Sequence, residues 1–359
     1  MIHLKTFNKK QLESFVLSGE FQKYDFLPIT QHRAKSQIAN PKANDDQTLL
    51  ILAFDDDHLA GYLGCLPDNF KMDNETFCYA WLSTLFISNQ FRGKKIAQKL
   101  LNKAFDEYNG NIAITEFTKE AESLYNKIGV FKYIEPKEGK RYYFRTDLEN
   151  IIPSKKEKTA FLKPAFRIAD SAANFFISIK NSFIRHPDFP VEILDHLDKE
   201  SVDFISNFKI NRTADEINWA IENPWILEGE KTDEKYLFSS YSKSFKYFWL
   251  KVYCENKNLI TCSLLILRDG HLKIPYLFSI ADLTQFIDFL NYFIIENKVK
   301  TMTCYQTELN QKIETSLSFP SIHQRKIERR YMFHEKLINH LPENFKPNFQ
   351  DGDGDCLMT

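Results

Sequence analysis

The sequence has no surplus of either charge: 47 Lys and Arg stand against 48 Asp and Glu, a formal net charge of -1. Without a cationic excess there is no bulk attraction to polyanions, which argues against a nucleic-acid coat. Glycine and proline are scarce, at 11 and 13 of 359 residues, which excludes collagen-like and low-complexity chains. The six cysteines form no C-x-x-C pair and show no regular spacing, so neither a zinc site nor a disulfide framework is indicated, and a reducing compartment fits. No apolar run approaches the ~18 residues of a membrane helix, and the N-terminal MIHLKTFNKKQ lacks a signal-peptide core. A cytoplasmic protein without membrane insertion is the expectation. The nine histidines show no H-x-x-x-H spacing, so no metal is expected. There is no G-x-S-x-G nucleophile elbow. Asp351-Gly-Asp-Gly-Asp355 opens like a calcium loop but lacks the closing Glu, which leaves a turn-rich C-terminal strand pair as the reading.

What is present is a core-forming composition. Hydrophobic residues are 43% and aromatics 14%, with 32 Phe and 16 Tyr, enough for well-filled cores or an aromatic-lined site. The length predicts about two domains. Periodicity predicts a strand over 2–7, a helix over 9–17 capped by Asn8 and stopped by Gly19, and a helix over 31–40. Strands over 48–54 and 59–66 flank a polar turn, and a strand over 77–88 runs through a polar loop into a helix with Ile96, Leu100, Leu101 and Phe105 on one face. A strand over 112–117, a helix over 119–128 and two short strands to 145 follow. The composition break Pro153–Lys158 reads as a linker, so the expected domains are 1–150 and 151–359. Beyond it, helices over 164–183 and 199–208 precede a β-rich stretch. Strand–helix–strand–helix–strand–strand order occurs over 77–145 and again over 272–334, a weak repeat signal.

The chemistry-bearing segment is the loop after the third long strand. A loop that opens a helix presents unpaired N–H groups at the positive end of the helix dipole; Gly93 lets an anion approach the backbone, and Arg92, Lys94 and Lys95 add charge. A diphosphate suits such a site, and a solvated basic first turn is the alternative. Gln90-Phe-Arg-Gly-Lys-Lys-Ile-Ala97 resembles the Q/R-x-x-G-x-G/A signature of the GNAT acyl-CoA N-acyltransferases. Ala121-Glu-Ser-Leu-Tyr-Asn-Lys-Ile-Gly-Val-Phe131 is similar to that family's A-x-x-L-Y-x-K-x-G-F segment. Lys95 stands where the family has a second Gly or Ala, and Thr118 where it often has Asn.

The resemblance implies an α/β fold with a mixed, largely antiparallel sheet flanked by helices, and acetyl-CoA or another acyl-CoA as co-substrate. It implies that Leu85, Phe86 and Ile87 offer strand backbone to the pantetheine arm and thioester. Arg92, Gly93, Lys94, Lys95, Ile96 and Ala97 would hold the diphosphate, with Thr118 beside them. Tyr125 would protonate the leaving thiolate. Glu116 and Glu75 are the candidates for the base that takes the ammonium proton. The second half has no basic Gly loop after its corresponding strand, so it resembles the degenerate copy of a tandem GNAT protein. Asn211-Arg-Thr-Ala-Asp-Glu-Ile-Asn-Trp219 resembles a segment of double-GNAT proteins from bacterial polysaccharide loci, and Trp219 and Trp225 are read as core. The implied reaction is acyl transfer to a small-molecule amine, an amino sugar among the options, with neither nucleic acid nor metal involved. The alternatives are a non-catalytic acyl-CoA sensor or scaffold and a Fem-like aminoacyl transferase.

Overall fold

The computed structural model describes residues 1–72, 75–149, 152, 157–341 and 351–359. In chain order the elements are β1 (Ile2–Phe7), α1 (Lys9–Leu17), α2 (Gln31–Ile38), β2 (Leu50–Asp55), β3 (His58–Met72), β4 (Glu75–Ile87), α3 (Ile96–Glu107), β5 (Ile112–Thr115), α4 (Lys119–Ile128) and β6 (Phe131–Tyr143). There follow α5 (Lys163–Asn181), β7 (Val191–Leu194), α6 (Lys199–Ile205), α7 (Ala214–Glu222), β8 (Leu227–Glu228) and β9 (Tyr241–Ser242). The last group is β10 (Phe245–Tyr253), β11 (Leu259–Arg268), β12 (His271–Ser279), α8 (Thr284–Glu296), β13 (Thr301–Cys304), α9 (Thr307–Thr315), β14 (His323–His334) and α10 (Glu335–Asn339). The fold is mixed α/β with mostly antiparallel strand pairing. The chain packs as two compact units: Met1–Lys137 with Lys209–Lys243 and Arg329–Thr359, and Glu138–Phe208 with Ser244–Glu328.

In the first unit β1 to β4 form an antiparallel meander, β4 pairs in parallel with β5, and β5 pairs antiparallel with Tyr331–Phe333. Asn8 starts α1 through a reciprocal capping box with Gln11. On one sheet face, Ile96, Leu100, Leu101 and Ala104 of α3 and Tyr125 of α4 pack on Ala80, Leu82, Ile112 and Ile114. On the other face, Leu12 and Phe15 of α1 and Ala34 of α2 pack with Leu50, Leu52 and Tyr62. The second unit repeats the order: β10 to β12 form a meander, α8 follows, β12 pairs in parallel with β13, and β13 pairs antiparallel with Lys140–Tyr143. Its core is Phe-rich, with Phe286, Phe289 and Phe293 of α8 fully buried.

Several expectations shift. A cut near residue 150 does not separate these units, because 209–243 and 329–359 bury Trp225, Tyr236, Leu357 and Met358 within the first. Residues 153–156 of the expected linker lie outside the described residues. The two short strands before 145 are one strand, β6. The C-terminal segment is a run of turns ending in a 3-10 turn, Cys356–Met358, not a strand pair.

Candidate active site

The site grows from the end of β4. The described β4·β5 ladder consists of Ala80↔Ile112 and Trp81↔Ala113, so β4 runs on for six residues without a partner on that side. On its other side the register with β3 jumps between Ser83 and Phe86, and Thr84 in the gap has φ 52°. This bulge inserts one residue and reverses the side-chain alternation. Ala80 and Leu82 face α3 and α4, and so, after the bulge, do Leu85 and Ile87. Phe86 turns to the opposite face, against Phe26 at 5.0 Å and Tyr62 at 5.6 Å. Gly61 permits this crossing, since a Cβ there would lie 2.6 Å from the Phe86 carbonyl oxygen. The three predicted strand residues thus carry unpaired backbone groups along one edge.

Asn89–Phe91 then makes a single 3-10 turn, and α3 begins at Ile96. Its first hydrogen bond runs from the Lys99 amide to the Lys95 carbonyl, leaving the Ile96, Ala97 and Gln98 amides without helical partners. No side chain caps this end. Gly93 has φ 84° with open space where a Cβ would stand. Lys95 has φ 58°, the left-handed conformation that favours glycine, so its departure from the family signature carries backbone strain. Arg92, Lys94 and Lys95 are exposed. Lys94 is held by an ion pair to Asp55 and lies over the Phe91 ring at 5.3 Å. Open amides, a glycine-lined approach and flanking cations fit a coenzyme A diphosphate.

Tyr125 lies in the apolar cluster on this face, 4% exposed, with its ring 5.4 Å from Phe131 and 6.1 Å from Phe117. Burial pushes its phenol well above the usual range and keeps it protonated. Thr118 is the N-cap of α4, its hydroxyl accepting from the Ala121 amide at 3.2 Å. Glu116 stands at the end of β5 with φ 50°, and its carboxylate accepts from Arg329 at 2.7 Å. A carboxylate committed to a buried guanidinium is a weak base. The Glu75 side chain lies outside the described residues.

The opposite face of the same strands holds residues that sequence reasoning missed. Arg33 of α2 donates to Ser83 Oγ and to the Tyr236 hydroxyl, each at 2.9 Å, and its guanidinium lies 3.7 Å from the Trp225 ring centroid. Trp219 and Trp225 donate their indole N–H groups to Ser36, consistent with core roles. The segment 351–358 crosses the β4–β5 divergence: a Cβ on Gly354 would meet Trp81 and Thr115 at 3.3 Å. The Gly354 carbonyl accepts from Arg212 at 2.6 Å, and Arg329 donates to the Asp351 carbonyl at 2.9 Å. Within 351–358 every residue is buried except Asp355, which keeps partial access to solvent. Burial and the Glu116 charge push the Asp355 carboxyl up to about 6, against the opposing pull of Arg33 and Arg329. A cavity of about 1010 Å³ between α1, α2 and 227–241 is lined by none of the predicted residues.

Residues 15–130 match the acetyltransferase (GNAT) family. No curated protein sequence matches the chain. Among solved structures, a conserved protein of unknown function from Enterococcus faecalis V583, a probable N-acyltransferase, superposes with a TM-score of 0.50 at 10% identity, over 93% of this chain and 73% of that one. A GCN5-related N-acetyltransferase from Anabaena variabilis ATCC 29413 gives 0.49 at 11% identity, over 92% and 72%. Saccharomyces cerevisiae N-myristoyltransferase with bound myristoyl-CoA gives 0.47 at 12%, over 92% and 82%. The segment that matches the family is the one that carries the β4–α3 junction with its open amides. Residues 15–130 therefore form a domain that matches the acetyltransferase (GNAT) family.

Proposed function

We propose that the protein moves an acetyl or other short acyl group from acyl-CoA to a primary amine of a small molecule, with amino sugars as the first acceptor class to screen. The observation that carries this reading is the uncapped start of α3 behind Gly93, where three helical amides lack helical partners beside the exposed Arg92 and Lys95. Bound acyl-CoA supplies the activated acyl carbon. The unpaired backbone of 84–87 orients the acyl carbonyl, the amine nitrogen bonds to the acyl carbon, and the C–S bond breaks. Asp355 takes the ammonium proton: a carboxyl pushed up to about 6, on a half-buried residue, suits a base working near neutral pH. Tyr125 supplies a proton to the departing sulfur. The second unit, with the same element order but no basic glycine loop, acts as a degenerate copy. None of the six cysteines is in a disulfide, which supports a cytoplasmic location.

The test is thermal denaturation with acetyl-CoA and coenzyme A, on the wild type and on Gly93→Asp. A shift of several degrees, absent in the variant, supports the site. No shift at millimolar ligand sinks the reading, and a shift without turnover across an amine panel converts it to a sensor. Tyr125→Phe should keep the shift and lose about tenfold to a hundredfold in kcat; unchanged turnover would remove Tyr125 from the mechanism.

A further inference from the structure

Helix α5 is amphipathic with its burial inverted. Its buried positions are polar, Asp170 and Asn181. The Asp170 carboxylate accepts from the Leu148 and Glu149 amides at 3.0 and 2.9 Å, and Asn174 bonds the amide and carbonyl of Thr146 at 2.9 and 3.0 Å. Polar groups therefore hold the helix to its own unit, and the outward face is apolar. Ile168 is 71% exposed, Phe175 62%, Phe176 69%, Ile179 50% and, just past the helix, Phe183 83%. The spacing i, i+7, i+8, i+11, i+15 places these side chains in one stripe. A contiguous exposed stripe with three phenyl rings is the kind of surface that a partner or a bilayer covers.

The rim selects the occupant. Between 163 and 185 the cations are Lys163, Arg167, Lys180 and Arg185, all exposed, and the one acid is the buried Asp170. Arg167 is forked onto Glu149, and the other three lie at the ends of the stripe. Isologous pairing with a second copy would bring one cationic rim against another, with the neighbouring Glu149 already committed to Arg167. An anionic phospholipid surface satisfies both features, phenyl rings entering the acyl boundary and cations meeting phosphates. Among the described residues no helix is long and apolar enough to cross a membrane, so the contact is with the surface. We propose that α5 docks the protein, apolar face down, on the interface of an anionic phospholipid bilayer.

Flotation of the full chain with vesicles tests this, using pure phosphatidylcholine and phosphatidylcholine mixed with phosphatidylglycerol. The wild type should float with the anionic vesicles, less so with the neutral ones, and release in high salt. Phe175→Ser/Phe176→Ser and Lys180→Glu/Arg185→Glu should each lower partitioning by about tenfold or more. These positions are exposed, so circular dichroism and Tm should stay at wild-type values. Three results would overturn the proposal: no flotation with phosphatidylglycerol, equal flotation of the Phe175→Ser/Phe176→Ser variant, or a wild-type dimer that this variant returns to monomer.

Discussion

The two units place a helix after the same strand of the same meander, yet treat its N-terminus in opposite ways. In the first unit the chain passes from β4 through Gly93 and a left-handed Lys95 into α3, and no side chain reaches the amides. In the second, β12 runs through Asp282 into α8, and the Asp282 carboxylate accepts from the Thr284 amide at 2.7 Å and pairs with Lys312. The Lys312 ammonium and the Thr284 hydroxyl hold that carboxyl at about 2. One helix end thus keeps its positive potential for an anion from solution, and the other has an internal anion in place. The difference teaches that a shared topology leaves a helix start open to an anion only where the sequence withholds its own cap.

The largest effect should come from the base proposed for the first unit. Asp355→Asn should lower kcat by about 10²–10⁴ while leaving the acetyl-CoA thermal shift intact. Wild-type kcat should fall as pH drops through about 6, where Asp355 takes up a proton. Because folding raises this pKa, the fold is favoured when Asp355 is protonated and loses that contribution as pH rises from the ordinary carboxylate range through 6. Asp355→Asn should therefore melt higher than the wild type at pH 8 and alike at pH 4, which a pair of melting curves checks. Next in size, Gly93→Asp gives the first unit the carboxylate of the second, and calorimetry should find acetyl-CoA binding weakened about a hundredfold.

Smaller effects sharpen the contrast. Lys95→Gly removes a side chain from a left-handed residue and should stabilise the protein by about 1 kcal/mol in urea unfolding, with coenzyme A affinity held or improved. Smallest of all, Asp282→Ala uncaps α8 and should lower Tm slightly without changing acetyl-CoA binding. A coenzyme-dependent shift gained at the second unit in that variant would reduce the comparison to the cap alone, since the missing basic glycine loop would then not matter.

Much of this frame was legible in the sequence because local rules decide it. Ile96, Leu100 and Leu101 repeat at helical spacing, Asn8 caps the helix that starts at Lys9, and Gly93 sits between strand and helix with φ 84°. The bulge at Thr84 was not legible, because it arises from the mismatch between β3 and β4 rather than from threonine itself. Nor was the state of Glu116. Its partner Arg329 lies 213 residues away, and only the tertiary fold commits that carboxylate to an ion pair. Asp355 looked like part of a failed calcium loop. Its surroundings come from α2, β5 and β14, each distant in sequence, so burial changed its chemistry without any local signal.

Strand β14 bears on the timing of synthesis. Residues 1–137 emerge from the ribosome with the acyl-CoA loop already encoded, but β5 finds its antiparallel neighbour only when Tyr331–Phe333 appears, and Asp355 comes later still. Until then β5 presents an unpaired edge and the proposed base is missing. A nascent chain halted halfway holds the cofactor motif without a completed sheet, so activity should be switched on by the arrival of 331–358 rather than by the domain that bears the signature.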